Sequence, residues 1–122
     1  MSETDCLFCK IVAGEIPSKK VYEDDFCYAF DDIEPEAPVH TLVVPKQHFD
    51  ELTEDVPEEV LGHLMHVVPK IAKIKGVDKS GFRCILNVGP DSAQTVQHMH
   101  VHIIGGAKMG RSTFEGSLRE GK

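Results

Sequence analysis

His98-Met99-His100-Val101-His102-Ile103-Ile104 sets three histidines in strict alternation with apolar residues. In an extended strand, successive side chains point to opposite faces. His98, His100 and His102 therefore share one face, and Met99, Val101 and Ile103 share the other, which must find a core. With a rise of about 3.3 Å per residue, neighbouring histidines of the row stand roughly 6–7 Å apart. Two adjacent imidazoles can converge on one ligand, but three along one straight strand cannot easily complete a tetrahedral metal site. The row suits a division of labour. Two other readings stay open: partly exposed histidines on a sheet face, and a zinc hydrolase with two ligands from an H-x-H strand and a third from a distant histidine. No acidic residue directly follows the row to support the second.

Outward from residues 97–104, the pattern predicts four more strands and two helices. Residues 82–88 form a strand, separated from the histidine strand by a Gly- and Pro-containing loop over 89–96. Residues 56–75 keep a helical period through Leu61, Leu64, Met65, Val68, Ile71 and Ala72, and Gly76 ends the helix. Asp55 with Glu58 reads as a capping box, and Pro57 is tolerated in a first turn. Pro69 removes a hydrogen bond to the Met65 carbonyl and predicts a kink. Val39–Pro45 carries the β-branched run of a strand, after an acidic loop over 31–38 that holds two prolines. Lys20–Glu23 and 26–30 read as a hairpin across Asp24 and Asp25. Residues 5–13 predict a short helix capped by Asp5, with Leu7, Phe8, Ile11 and Val12 on one face and Gly14 in the left-handed position beyond it. The order β-β-β-α-β-β implies an α+β fold: a five-stranded antiparallel sheet, one long helix and a short N-terminal helix.

The 122 residues suffice for a single domain over 1–122, its core at about 5–106, with a polar, loose tail over 107–122. A net charge of -7 repels polyanions, which argues against a nucleic-acid polymer as partner. A small phosphate ligand remains compatible, because donors in a pocket outweigh the global charge. No apolar stretch reaches the roughly 20 residues that span a bilayer, so no membrane partner is expected. The first five residues are polar and acidic, unlike a secretory leader, and a cytoplasmic protein is expected. In that reducing setting Cys6-x-x-Cys9 favours metal binding or redox chemistry over a structural bridge. Cys27 and Cys84 read as inert core residues.

The run H-φ-H-φ-H-φ-φ, φ being apolar, resembles the signature of the histidine-triad family, and 98–104 matches it in full. The resemblance covers roughly residues 6–109. It includes Phe30-Asp31-Asp32-Ile33, the block from Pro38 through His40 to Lys46, Asn87, Gln94-Thr95-Val96 and Gly105-Gly106. The last pair and the Phe-x-Asp-Ile block look most like the histidine-triad nucleotide-binding (Hint) branch. That branch forms homodimers with a joined sheet and hydrolyses purine nucleoside phosphoramidates.

On that resemblance, His100 attacks the α-phosphorus and forms a covalent nucleotidyl-histidine. Imidazole is nucleophilic near neutral pH and leaves again when water attacks; its other nitrogen needs an acceptor, for which the resemblance implies a carbonyl. His102 bonds a phosphate oxygen and His40 joins the proton network. Gln94 and Thr95 place donors around the phosphate and leaving group, with Val96 beside them. Asp32 accepts from the ribose hydroxyls. Leu7, Phe8, Ile11, Phe30 and Ile33 wall the purine, and Asn87 contacts the phosphate or positions the loop. Asp31 departs from the histidine usual in animal proteins and is expected to face solvent. Thr95 stands where the Hint pattern has Ser, and Gln-Thr-Val also resembles the dinucleoside polyphosphate hydrolase branch. Alternatives to the phosphoramidate hydrolase are thus that second hydrolase and a non-catalytic nucleotide-binding regulatory protein.

The C-x-x-C pair lacks the preceding strand of a thioredoxin-type redox site. Resemblance to microbial members implies instead a zinc site, Cys6 and Cys9 being completed by His48 and His98. Four protein ligands close the coordination sphere, which makes such a zinc structural. No organic cofactor is expected. His63 and His66, on the long helix, receive no role.

Overall fold

The central strand is β3 (Val39–Pro45), whose two faces carry different cores. In the computed structural model, residues 6–92, 94 and 96–110 are described. They form α1 (Leu7–Val12), β1 (Lys20–Glu23), β2 (Cys27–Asp31), β3, α2 (Glu58–Ile74), β4 (Phe82–Ile85) and β5 (Val101–Gly105). The sheet has five antiparallel strands in the order β1-β2-β3-β5-β4. The expected α+β architecture of one sheet, one long helix and one short helix is the one observed.

The alternation of β2 and β3 sorts side chains by parity. Cys27, Ala29 and Val43 join Val101, Ile103 and Met99 under Leu64, Val67, Val68 and Ile71 of α2. On the opposite face, Tyr28, Phe30, Leu42 and Val44 pack against Phe8 and Ile11 of α1. Residues opposite each other in the ladder share a face. The pair Leu42↔His102 therefore puts His102 on the α1 side, and Thr41↔Ile103 puts Ile103 on the α2 side.

Several boundaries differ from expectation for physical reasons. Asp5 lies outside the described residues; the N-cap of α1 is Cys6, whose sulfur accepts the Cys9 N–H at 3.3 Å. Gly14 and Gly76 do follow their helices with φ of +81° and +74°, values favoured in glycine. β2 runs to Asp31, not from 26 to 30. The Asp55–Glu58 capping box does not form. Asp55 has a φ of +51°, Pro57 is the N-cap, and no side chain caps the helix. On α2, Leu64, Val68, Ile71 and Ala72 are buried as expected; Val67 joins them, and Met65 is exposed instead. The helix continues through Pro69, which lies on its exposed side, where water can reach the freed carbonyl. Cys84 is exposed on the edge strand β4, whereas Cys27 is fully buried as expected.

The largest departure concerns the histidine row. β4 ends at Ile85 rather than 88, and β5 begins at Val101 rather than 97. Upstream of Val101 the chain leaves the ladder and bonds a loop instead: the Met99 N–H donates to the Phe49 carbonyl at 2.7 Å. Only His102 of the three lies in strand pairing. The segment still alternates, since Met99 is buried in the α2-side core. Residues 111–122 of the expected tail lie outside the described residues. The chain before them is tied back where Arg83 Nη2 donates to the Gly110 carbonyl at 2.6 Å.

Candidate active site and metal centre

Backbone carbonyls and amides fix the tautomer of each histidine in turn, because a carbonyl can only accept and an amide N–H can only donate. His100 Nδ1 lies 2.7 Å from the His98 carbonyl, so Nδ1 carries the proton and Nε2 keeps its lone pair. The Glu36 N–H donates to His40 Nδ1 at 3.0 Å, so the His40 proton sits on Nε2. That Nε2–H donates to His102 Nδ1 at 2.9 Å and lies 3.5 Å from Asp32 Oδ2. Neutral His102 then carries its proton on Nε2; Asn87 Nδ2, itself a donor, lies 3.5 Å away and does not accept it. The His100 and His102 rings meet at 4.8 Å.

Burial favours the neutral form of each ring. It lowers the His100 pKa, partly offset by the bond to the His98 carbonyl and by the Asp32 charge. It holds His102 down to about 4, assisted by the neighbouring His100 and His40. One face therefore offers a bare nitrogen on His100 beside an N–H donor on His102. A nitrogen nucleophile next to a donor is an arrangement suited to a tetrahedral oxyanion such as a phosphoryl group.

Phe8 stands edge-on to His100 with centroids 5.0 Å apart, and also meets Phe30 at 5.4 Å. Leu7 and Ile33, expected beside them, are exposed at 45% and 88%. A cavity of about 330 Å³ reaches Asp32 and His40 from the loop, bounded by Ile33, Pro35 and Pro38. Asp32 Oδ1 accepts the Glu34 N–H at 2.9 Å. Asp31 is half-buried rather than free in solvent: it accepts from Thr41 Oγ1 at 2.9 Å and pairs with Lys75 Nζ at 2.9 Å.

Gln94 is buried, and its amide is occupied within the fold. Oε1 accepts the Gly89 N–H at 2.9 Å, while Nε2 donates to the carbonyls of Asp50 and Val96 at 2.9 and 3.1 Å. Its side chain braces the 89–96 loop rather than offering donors to a phosphate. Val96 is half-buried against the α1-side core. Thr95 lies outside the described residues.

On the other side of His98, four ligand-type atoms converge. Those of Cys6, Cys9, His48 and His98 all lie within 4.8 Å of one another. His98 Nε2–H donates to the Pro45 carbonyl at 2.8 Å, leaving Nδ1 bare at 3.2 Å from Cys6 Sγ and 3.4 Å from Cys9 Sγ. His48 Nε2–H donates to Asp50 Oδ1 at 2.5 Å, leaving Nδ1 bare at 3.2 Å from Cys9 Sγ. The His48 contact keeps the Asp50 carboxyl below its usual pKa. Lone pairs on two nitrogens and two sulfurs thus face one point, and each histidine donates its other N–H to an oxygen. That donor set fits a soft tetrahedral cation such as zinc. The four residues expected together are brought together.

Sequence reasoning missed the groups that hold these rings, the Pro45 carbonyl, the Glu36 amide and the Asp50 carboxylate, and the Phe49 carbonyl that holds the Met99 N–H between them. Only Asp50 left a signal, as an acid two residues after His48. His63, which was given no role, donates Nε2–H to Asp24 Oδ2 at 2.7 Å and so ties α2 to the β1–β2 turn.

A model of the HIT domain matches residues 13–109. The chain is 48% identical, over 89% of its length and 96% of the relative's, to an uncharacterized HIT-like protein of Synechococcus elongatus. It is 46% identical, over 86% of its length and 96% of the other's, to a 14 kDa zinc-binding protein of Brassica juncea. Among solved structures it is similar to a histidine triad protein from Clostridium difficile, at 50% identity and a TM-score of 0.86, covering 92% of this chain and 99% of that one. A HIT family hydrolase from Legionella pneumophila matches at 39% identity and a TM-score of 0.84, over 87% and 96%. A histidine triad nucleotide-binding protein from Candida albicans matches at 33% and 0.77, over 90% and 87%.

Proposed function

The chain belongs to the histidine-triad (HIT) family, and from that premise we propose that it hydrolyses purine nucleoside phosphoramidates through a covalent nucleotidyl-His100 intermediate. The observation that carries this reading is the bare Nε2 of His100, fixed by the 2.7 Å bond from Nδ1–H to the His98 carbonyl. Its lone pair forms a bond to the α-phosphorus while the bond from phosphorus to the amine breaks. Water then attacks phosphorus, its oxygen stays there, and His100 departs with its lone pair restored. The net reaction consumes one water, whose proton ends on the released amine.

His102 supplies its Nε2–H to a phosphate oxygen, and the His40 contact to Nδ1 keeps that proton where it is needed. Asp32 accepts from the ribose hydroxyls, using the oxygen that the Glu34 amide leaves open. Phe8 and Phe30 form the apolar wall on which the purine rests, and Thr95 and Asn87 serve the phosphate end. The printed names of the Legionella hydrolase and the Candida nucleotide-binding protein support this reading.

The same proposal gives Cys6, Cys9, His48 and His98 a structural zinc, supported by the converging lone pairs and by the name of the Brassica relative. With four protein ligands it would hold α1 against the 45–50 loop and have no open position for substrate. A cytoplasmic, reducing location keeps both cysteines available as ligands. We place the protein as a homodimer joined at a sheet edge; β4 has no strand on its outer side among the described residues.

The test is turnover of adenosine phosphoramidate and of diadenosine polyphosphates by wild type and His100→Ala. The reading expects phosphoramidate hydrolysis that His100→Ala abolishes, with labelled nucleotide trapped on His100 in wild type. Faster turnover of the polyphosphates would move the substrate class, and nucleotide binding without turnover of either would make the protein a binding module. Light scattering at micromolar concentration tests the dimer.

A further inference from the structure

On the α2 side of the sheet, across it from Cys6 and the α1-side core, three more ligand-type side chains converge. The ligand atoms of Asp24, Cys27 and His63 all lie within 4.8 Å of one another. They come from the β1–β2 turn, the first residue of β2 and the second turn of α2. Cys27 is fully buried in the core beneath α2. Asp24 and His63 are partly exposed, which leaves the trio open to solvent on one side.

Asp24 is held as an anion. Its Oδ1 accepts the N–H groups of Phe26 and Cys27 at 2.8 and 2.9 Å. Its Oδ2 accepts Tyr22 O–H at 2.8 Å and His63 Nε2–H at 2.7 Å. Burial alone would raise its pKa, yet His63, the two amides and Tyr22 together hold the carboxyl well below the usual range. The neighbouring thiol is in the opposite state. Burial, reinforced by the Asp24 charge, pushes Cys27 up to about 12. A bound cation inverts that balance, because a coordinating thiol gives up its proton outright.

The geometry points to a second metal site, in which Asp24, Cys27 and His63 take one borderline-soft divalent cation of the zinc class. Thiolate sulfur, imidazole nitrogen and carboxylate oxygen are all zinc ligands, and three of them leave a fourth position open to solvent. Binding releases one proton and moves another. The Cys27 thiol loses its proton to solvent as the bond from sulfur to the cation forms. His63 shifts its proton from Nε2 to Nδ1, which bares Nε2 and frees the Oδ2 lone pair that it occupied. Tyr22 stays on Oδ2 as an outer donor. Zinc at about 2.0–2.1 Å from each atom needs Nε2 and Oδ2 roughly 3.3 Å apart. They now stand at 2.7 Å, so the partly exposed His63 ring withdraws by roughly half an ångström.

The consequence is a fastening. α2 begins at Glu58 with no side chain capping its N-terminus. A cation shared by His63 and the β1–β2 turn ties that end of the helix to the sheet. His102 lies on the other face, so turnover should be indifferent to the loading.

Cobalt(II) tests the site, since its absorption reports thiolate ligation. Reduced protein carrying Cys6→Ser and Cys9→Ser has no sulfur left at the first cluster. After chelation it should still bind one cobalt with a thiolate band, release one proton per metal, and melt at a higher temperature when loaded. Adding Cys27→Ala or His63→Gln should abolish the band and the rise. Gln keeps an N–H for Asp24 but offers no ring nitrogen, so its effect separates a metal ligand from a helix tie. If the double variant does not fold, zinc content of the otherwise unaltered chain gives the same answer: Cys27→Ala and His63→Gln should each lower it by one equivalent. Equal metal content in wild type and both variants overturns the proposal. So does a thiolate band in the double variant that survives Cys27→Ala, or an equivalent that survives His63→Gln.

Discussion

His40 and His102, 62 positions apart in the chain, share one proton: His40 Nε2–H points at His102 Nδ1 across 2.9 Å. The direction of that bond is set by the Glu36 amide on the far side of His40. It follows from register, since β3 places His40 opposite Ile104 and therefore diagonal to His102 on the same face.

His40→Ala should therefore leave His102 free to carry its proton on either nitrogen. The loss expected is about a hundredfold in kcat, with KM for the nucleotide moved far less. Steady-state kinetics on purified, folded variant decides it. A drop confined to KM would place His40 in binding instead.

Acid should act on stability before it acts on the fold's shape. His102 is held down to about 4 in the folded chain, chiefly by burial, against a value near 6.5 when unfolded. Between those limits the unfolded state binds the extra proton, so the His102 contribution to stability is present above pH 6.5 and is lost as pH drops from 6.5 to 4. Urea midpoints at pH 7.5 and pH 5 should show the decline, and His102→Asn should lessen it. The lowered pKa of His100, chiefly from burial, has the matching kinetic sign: the acid limb of kcat/KM should lie below that of a free imidazole.

Gln94→Ala strips partners from the Gly89 N–H and from two carbonyls. Each buried group left unpaired costs about 1–3 kcal/mol, so the urea midpoint should fall. Gln94→Glu should be no better, because a carboxylate cannot donate to the Asp50 and Val96 carbonyls. If Glu restored both stability and rate, Gln94 would have to be acting on substrate.

Ile103→Ala empties a fully buried site behind the histidines. A loss of roughly 2–5 kcal/mol is expected, according to how far the cavity collapses. Because Ile103 faces α2 and His102 faces α1, the rate of the folded fraction should change little. Calorimetry alongside single-turnover kinetics separates the two effects.

The alternation of histidines with Met99, Val101 and Ile103 made the two faces readable, because side-chain parity survives even where strand pairing does not. The same logic failed on where β5 begins. Nothing in residues 97–100 says that Met99 will donate to the Phe49 carbonyl rather than to a neighbouring strand. Local spacing gave the stops at Gly14 and Gly76, yet misjudged the start of α2, where Asp55 adopts a positive φ and cannot cap. Family resemblance named Cys6, Cys9, His48 and His98, which converge. It was silent on Pro45, Glu36 and Asp50, since carbonyls and amides leave no residue-type signature. Gln94 was the instructive case: a polar side chain beside a catalytic motif looked like a ligand for phosphate, and its donors are spent on the loop itself.

Cys6 and His98 lie 92 positions apart yet meet at 3.2 Å. During synthesis the two cysteines leave the ribosome well before His98, which follows only after four of the five strands. Until then the nascent chain can offer a metal Cys6, Cys9 and His48 but never the full set. Closure of the cluster is thus a late event in the life of each molecule, and the residue that closes it stands two positions before the proposed nucleophile.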